Sequence, residues 1–324
     1  MSANTNPSRR QIPRFLIDVQ NADPQLLQKK FRKLESEESE RSKQANDTAS
    51  RFSLTIANSK AAGPYNRYMD IMPYNQTRVK LLSGKTDYIN ASYLDAPGKI
   101  RRYIAAQGPL SKTIDDFWLM IWEQNCGVVV MLTQEREKNM PKCARYWPEK
   151  DKSLNFDDIG MTVTLESEGL DPSISSIVRS ITLTRKEDDN NEQSLKTRRV
   201  TQLHFMGWAD HGVPDSPDAL LQLISKTNEL QQLHADENNA RTQPDAVGPV
   251  VVHCSAGVGR TGTFCTVDSA MALLPIMDDD SMDLVFHIIG FFREQRMRMV
   301  QTLRQYQFCY MTLLRKFMLD GISE

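Results

Sequence analysis

The spacing of apolar residues changes near Trp208, between a strand-rich and a helix-rich part of the chain. Residues 50–206 hold short apolar runs, with one dense apolar segment, 117–125, that predicts a helix. Residues 177–206 contain two β-branched runs around the polar tip EDDNNEQ, which is typical of a long hairpin. After Trp208, apolar residues recur every three or four positions, as on one face of a helix. This order predicts an α+β domain with a mixed β-sheet.

The N-terminal segment differs from the rest of the chain in composition. Residues 1–20 are polar and contain Pro7 and Pro13, so they predict a flexible tail. Asp23 and Pro24 suit the N-cap and first position of a helix that extends to about residue 45. We therefore expect a tail over 1–20 and a single folded domain over 21–324.

Composition and charge exclude several classes of protein. Apolar residues make up 40% of the 324 residues and the net charge is −1, so we expect an ordinary globular protein that does not bind nucleic acid. No apolar run approaches the ~20 residues of a membrane span. The five cysteines are scattered and odd in number, which favours a reducing compartment, the cytoplasm first and the nucleus second. No spacing indicates a metal site, and we expect neither metal nor cofactor.

The segment VVHCSAGVGRTG, residues 251–262, carries the strongest chemical signal. A valine-rich strand precedes it and a helical segment follows, so the loop lies at a helix N-terminus, where free amides favour an anion. Gly257 and Gly259 let successive amides turn inward, and Arg260 adds a guanidinium that can grip two phosphate oxygens. The same field lowers the pKa of the Cys254 thiol. The loop therefore predicts a phosphate site with a nucleophile in its floor.

Two other interpretations of this loop are weaker. GVGRTG fits G-x-G-x-x-G, the dinucleotide-binding spacing, and Asp278–Asp280 lie near the expected distance. No strand separates the loop from these aspartates, and the motif comes late in the chain. A buried, inert cysteine beside a glycine-rich turn does not account for the arginine six residues after Cys254.

The wider sequence resembles the cysteine-dependent protein tyrosine phosphatases, of the tyrosine-specific, non-receptor type. C-x5-R alone is only moderately specific, but further blocks follow the family order across about residues 60 to 315. They are YNRYMDIMPYNQTRVKL (65–81), DYINASYL (87–94), YIAAQGPL (103–110), FWLMIWE (117–123), KCARYWP (142–148) and MVQTLRQYQF (299–308). The resemblance implies one catalytic domain, with a highly twisted central sheet flanked by helices and the phosphate loop between a strand and a helix.

The resemblance also implies the catalytic roles. Cys254 is the nucleophile, Arg260 holds the phosphate, and Thr261 stabilises the leaving thiolate. Asp210 acts as general acid and then as general base, and Gln301 and Gln305 position the attacking water. The implied substrate-binding residues are Tyr68, Asp70, Glu137, Lys142, Ser255, Ala256, Gly257, Val258 and Gly259.

Tyrosine selectivity follows, in this resemblance, from a deep cleft walled by Tyr68. Asp70 accepts hydrogen bonds from the substrate backbone, Glu137 orients Arg260, and Lys142 pairs with the mobile loop. The expected partners are phosphotyrosine-containing proteins, and the expected state is a monomer.

One position departs from the family pattern. Where the family has Trp-Pro-Asp, this chain has Trp208-Ala209-Asp210, which removes the restriction that proline places on φ. We expect an active enzyme with altered loop kinetics. The alternatives are a dual-specificity phosphatase and a phosphotyrosine-binding protein with weak turnover.

Overall fold

The computed structural model describes residues 12–21, 25–150, 152–189, 192–208, 212–237 and 247–321. Helices flank a large sheet on both faces. Their bounds are α1 Arg14–Asn21, α2 Gln25–Ser42, α3 Ile114–Glu123, α4 Pro217–Glu237, α5 Gly259–Leu273, α6 Leu284–Arg293 and α7 Leu303–Asp320.

The described strands form one nine-stranded mixed sheet and one short hairpin. Their bounds are β1 Arg78–Lys80, β2 Tyr88–Asp95, β3 Arg102–Ala106, β4 Val128–Met131, β5 Arg136–Glu137, β6 Met140–Pro141, β7 Ser153–Phe156, β8 Met161–Asp171, β9 Ser176–Asp189, β10 Glu192–Phe205 and β11 Val250–His253. The large sheet has the order β1-β2-β3-β11-β4-β10-β9-β8-β7, and β5 pairs with β6. Strands β3, β11, β4 and β10 run parallel, and the outer pairings are antiparallel. This architecture confirms the α+β prediction with its mixed sheet.

The central strand β11 contains consecutive valines instead of alternating apolar and polar residues, and its position in the sheet explains why. Val250 and Val252 belong to the core beneath the helices α4 to α7, whereas Val251 packs with α3 on the opposite face. Since both faces of a parallel strand are covered, both sets of side chains must be apolar. The predicted hairpin over 177–206 is present as β9 and β10, paired from Ser176 with Phe205 outward.

The parallel strands also place their carboxyl ends at one edge of the sheet. At this edge β3 leads into Gln107, β4 into Thr133, β10 into Trp208 and β11 into Cys254. Ligands of such sheets bind outside the carboxyl ends of the strands. The fold therefore brings four loops from distant parts of the sequence to one place.

The N-terminal segment differs from the prediction of a flexible tail over 1–20. Residues 14–21 form the helix α1, and Phe15 and Leu16 are buried in the core shared with α5 to α7. The Phe15 amide also donates to the Asp280 carbonyl at 3.1 Å. The tail was predicted from the polar composition and the two prolines. That prediction is wrong for residues 14–20, because Phe15 and Leu16 give this segment an apolar face that packs in the core. Residues 1–11 and the predicted cap at Asp23-Pro24 lie outside the described residues.

Helix α2 agrees with the amphipathic pattern that predicted it. Phe31 and Leu34 are buried, and the Phe31 ring lies 5.6 Å from that of Tyr306 on α7. Within the described ranges, none of the helices is long and apolar enough to cross a membrane.

Candidate active site

The loop from Cys254 to Val258 connects β11 to α5 at the carboxyl edge of the sheet. Gly257 has φ +72°, and a Cβ at this position would lie 2.1 Å from the Ala106 carbonyl oxygen. Only glycine allows both the left-handed backbone and this close approach to β3. The turn aims the Gly257 amide at the Cys254 Sγ, which accepts its hydrogen bond at 3.2 Å. The loop thus forms the concave, amide-lined turn that its glycines predict.

Opposing effects act on the pKa of the Cys254 thiol. Burial raises its pKa, but polar contacts from the hydroxyl and amide of Thr261, the charge of Arg260 and the Val258 amide outweigh burial, so the pKa lies below its ordinary value. The Thr261 hydroxyl has no hydrogen-bond partner among the described residues, so it is free to turn toward the sulfur and favour the thiolate. By contrast, burial raises the pKa of Cys126, Cys143, Cys265 and Cys309.

His253, directly before the cysteine, supports the loop as a neutral ring. It is fully buried, and burial is the main cause that lowers its pKa to about 3. One ring nitrogen lies 3.1 Å from the Cys254 carbonyl oxygen and the other 2.8 Å from the Tyr146 hydroxyl, which accepts from the Gln202 amide at 2.5 Å. The imidazole therefore fixes the backbone of Cys254 and stays uncharged near neutral pH.

Arg260 is held by a carboxylate from a different part of the chain. Its two terminal nitrogens donate to the two carboxylate oxygens of Glu137 at 2.5 and 3.0 Å, and one also donates to the Leu132 carbonyl at 3.0 Å. Glu137 accepts a further hydrogen bond from Thr133 at 2.9 Å. Burial raises the pKa of Glu137, but the contacts with Arg260 outweigh it and lower the pKa overall. A bidentate pair of this kind fixes the plane of the guanidinium.

A cavity of about 370 Å³ opens above the loop. This volume is within the range of sites for small ligands. Eleven of the predicted site residues line it: Tyr68, Asp70, Glu137, Lys142, Cys254, Ser255, Ala256, Gly259, Arg260, Gln301 and Gln305. The other lining residues are Ile71, Gly212 and Thr302. The structure therefore brings together residues that the sequence spreads over more than 200 positions.

Polar contacts connect the walls of this cavity to the loop. The hydroxyl of Tyr68 lies 2.9 Å from that of Ser255, and Ser255 donates to the Lys142 carbonyl at 2.9 Å. Asp70, at the mouth, pairs with Arg298 at 2.8 Å. The same serine of the loop thus contacts the side chain of Tyr68 and the main chain of Lys142.

The two predicted glutamines lie at the start of α7. Gln305 accepts hydrogen bonds from the amides of Gln301 and Thr302 at 2.9 and 3.3 Å, and the Thr302 hydroxyl accepts from the Gln305 amide at 3.2 Å. This reciprocal capping arrangement begins the helix and fixes the backbone of Gln301. A Cβ at Gly259 would meet the Gln305 amide at 2.9 Å, so α7 packs directly on the loop.

Three of the predicted residues that the structure describes do not line the cavity. Gly257 and Val258, within the loop, and Thr261, in the first turn of α5, are buried and shape the loop rather than face the opening. Asp210 lies outside the described residues, together with Ala209. The flanking Trp208 is buried, its ring nitrogen donates to the Gly212 carbonyl at 3.0 Å, and the ring lies 6.0 Å from the Arg260 guanidinium.

Arg296 supports the site but is absent from the sequence prediction. It is fully buried and donates to the carbonyls of Gly257 and Ala256 at 2.8 and 3.1 Å from beneath the loop. Asn90 and Ser92, on β2, accept its other hydrogen bonds at 2.8 and 3.0 Å. In the sequence it is one of several basic residues in REQRMR, so neither spacing nor composition distinguishes it. The only sequence signal for a buried cation is in the DYINASYL block, where the polar residues Asn90 and Ser92 face inward and accept hydrogen bonds from Arg296.

Comparison with known proteins agrees with this geometry. The family model described as protein-tyrosine phosphatase matches residues 63–315. The chain is 39% identical over 249 residues to tyrosine-protein phosphatase non-receptor type 2 of Rattus norvegicus, and 41% identical over 255 residues to tyrosine-protein phosphatase non-receptor type 9 of Homo sapiens. Each match covers 77% of this chain. This chain belongs to the protein-tyrosine phosphatase family, which confirms the resemblance found in its sequence.

A solved structure gives the same result for the fold. The crystal structure of the catalytic domain of human protein tyrosine phosphatase non-receptor type 18 superposes with a TM-score of 0.75 at 32% identity. The match covers 91% of this chain and 97% of that one. The chain spans only 55% and 41% of the two relatives named above, so about half of their length has no counterpart in it.

Proposed function

We propose that this protein hydrolyses phosphotyrosine in proteins through a cysteinyl-phosphate intermediate. The observation that carries the proposal is the placement of Cys254, with a lowered pKa, at the floor of a cavity beside Arg260. A thiolate is a nucleophile, and a fixed guanidinium with inward amides stabilises the charge of a phosphoryl group in transfer. Membership of the family supports the same reaction.

In the first step the Cys254 sulfur attacks phosphorus in line with the tyrosine oxygen. The S–P bond forms and the P–O bond to tyrosine breaks, and the tyrosine oxygen takes a proton from the Asp210 carboxyl group. Arg260 and the loop amides hold the three equatorial oxygens as charge shifts in the transition state. Because Glu137 already fixes the guanidinium, little reorganisation is needed at that moment.

In the second step a water molecule held by Gln301 and Gln305 attacks the same phosphorus. Its proton passes to the Asp210 carboxylate, the S–P bond breaks, and inorganic phosphate leaves. The electron pair returns to sulfur, and Thr261 and the Gly257 amide stabilise the regenerated thiolate. One carboxyl group therefore serves as acid and then as base.

Selectivity for phosphotyrosine would follow from the depth of the cleft, of which Tyr68 forms one wall. We expect phosphate release from phosphotyrosine peptides to exceed that from phosphoserine and phosphothreonine peptides by at least about 100-fold, because a short side chain leaves phosphorus out of reach of the sulfur. The test measures phosphate release from matched peptides, with Cys254→Ser as the control. Similar rates on all three would support a dual-specificity enzyme, and binding without release would support a phosphotyrosine-binding protein.

The proposed role of Asp210 predicts a specific pH dependence. Its carboxyl must be protonated in the first step, so kcat/KM falls as the pH rises through its pKa. Asp210→Asn should lower kcat by about 10²- to 10³-fold and remove this fall, because an amide has no such proton to lose. The rise of the rate at lower pH, where Cys254 ionises, should remain in the variant. Asp215→Asn, at an exposed position nearby, is the matched control. A fall at high pH that persists in Asp210→Asn would contradict the role.

Other features of the whole protein are also proposals. We propose that its partners are phosphotyrosine-containing proteins, that it acts as a monomer without nucleic acid or cofactor, and that it works in the cytoplasm or nucleus. The five cysteines are all free and buried, which supports a reducing compartment. Sedimentation of the purified chain and imaging of the tagged protein in cells test the monomer and the location.

A further inference from the structure

The turn that leads from α6 into Gln301 holds an unusual backbone. Arg298 and Val300 have φ values of 55° and 58°, in the left-handed region. A β-branched residue such as valine adopts this region at a steric cost, and such conformations persist only where surrounding contacts impose them. The contacts that impose this turn therefore control where Gln301 is placed.

Arg293, the last residue of α6, holds the turn from inside. Its side chain is 2% exposed, and it donates to the Met299 carbonyl at 3.0 Å and to the Val300 carbonyl at 2.9 Å. The Val300 amide donates to the Val258 carbonyl at 3.2 Å, which ties the turn to the phosphate loop. The turn thus has two fixed carbonyls and one fixed amide before the chain reaches Gln301.

Glu38, on helix α2, completes the arrangement with a single carboxylate. One oxygen accepts from the Arg298 amide at 2.6 Å, and the other pairs with Arg293 at 3.1 Å. Its side chain is 15% exposed, so the pair with Arg293 is largely shielded from water. Glu38 lies before residue 63, where the family-model match begins.

Helix α2 is itself fixed to the body of the domain. Its Leu34 is fully buried, and Lys30 forms an ion pair with Asp283 at 2.5 Å. The carboxylate of Glu38 is therefore held by a fixed helix. Its two contacts are the Arg298 amide, within the turn that precedes Gln301, and Arg293, which holds that turn. The Gln301 amide, one residue beyond Val300, is in turn bound to the Gln305 side chain at 2.9 Å.

We propose that Glu38 is a positioning residue for the hydrolysis of the cysteinyl phosphate. By holding Arg293 and the Arg298 amide together, it sets the turn that carries Gln301, and so the place of the attacking water. It acts on the second step, because Gln301 serves water attack, whereas Cys254 and Arg260 are held by other contacts. This inference rests on the function proposed above.

Glu38→Gln is the variant that tests it. An amide of the same shape has only one acceptor end, so either Arg293 or the Arg298 amide loses its partner. Rapid mixing with an aryl phosphate separates formation of the phosphoenzyme, seen as an initial burst of aryl alcohol, from its hydrolysis in the steady state. We expect the formation rate to stay within about twofold and the hydrolysis rate to fall about tenfold, so the burst becomes larger.

Glu40→Gln is the matched control, since Glu40 lies on the same helix and, among the described residues, pairs with the exposed Lys43 alone. Equal hydrolysis rates in the two variants, or a parallel fall in both steps, would overturn the inference. If Glu38→Gln melts below the assay temperature, Glu38→Asp is measured against Glu40→Asp, and the same selective loss is expected in smaller degree. A wild-type chain that forms no phosphoenzyme would instead refute the proposed function itself.

Discussion

Cys254→Ser should abolish turnover while leaving phosphotyrosine binding intact. The serine hydroxyl does not ionise under the field that lowers the pKa of the thiol, so the nucleophile is lost. The amides and Arg260 keep their positions, so a phosphotyrosine peptide should still bind. We expect the rate of phosphate release to fall by at least about 10⁴-fold, with a peptide Kd within about threefold of the wild-type value. Steady-state kinetics and calorimetric titration measure the two quantities.

The control for this variant is Cys126→Ser. Cys126 is buried three residues after the end of α3, and its thiol makes only a weak contact with the Gln124 carbonyl at 3.7 Å. Burial raises the pKa of this thiol, which marks it as inert. Loss of activity in Cys126→Ser equal to that in Cys254→Ser would point to damage to the fold rather than loss of a nucleophile.

Arg260→Lys should cost about 10³-fold in kcat although the charge is kept. Lysine has a single ammonium, so it cannot donate to both oxygens of Glu137 and also present a planar pair of donors to phosphate. The loss should appear more strongly in kcat than in KM, because the equatorial oxygens gain charge in the transition state. Steady-state kinetics on a phosphotyrosine peptide measure both constants.

A second substitution separates the bidentate geometry from the general effect of replacing arginine. Arg315→Lys alters a bidentate pair with Asp218 on the surface, far from the loop in sequence, and should leave kcat unchanged. A rate for Arg260→Lys within tenfold of the wild type would contradict the role given to the guanidinium.

The sequence predicted the centre of this site because its chemistry is local. Cys254, the glycines and Arg260 lie within seven residues, between a strand and a helix that their own apolar patterns identify. The remaining residues, such as Glu137 and Gln301, became interpretable only through the family resemblance. An isolated acidic or amide residue has no pattern that distinguishes it from a solvated one.

What the sequence could not predict depends on pairings between distant segments. Arg296 and Glu38 lie in charged stretches of the sequence, which are typical of solvated surfaces. Their hydrogen-bond partners lie in distant segments of the chain. The burial of Phe15 and Leu16 on α1 depends on α5 to α7, nearly the whole chain away, so the local sequence alone predicts a tail there. In each case a tertiary contact buries the residue wholly or in part, whereas the local composition predicts that it is exposed to solvent.

The most direct test of the central claim is to trap the phosphoryl group on the protein. The enzyme is mixed with a phosphotyrosine peptide, quenched in acid within one turnover, digested and examined by mass spectrometry. We predict a phosphate adduct on the fragment that contains Cys254, absent from the Cys254→Ser variant. Turnover of the peptide at the wild-type rate by that variant, or an adduct on another residue, would contradict the account.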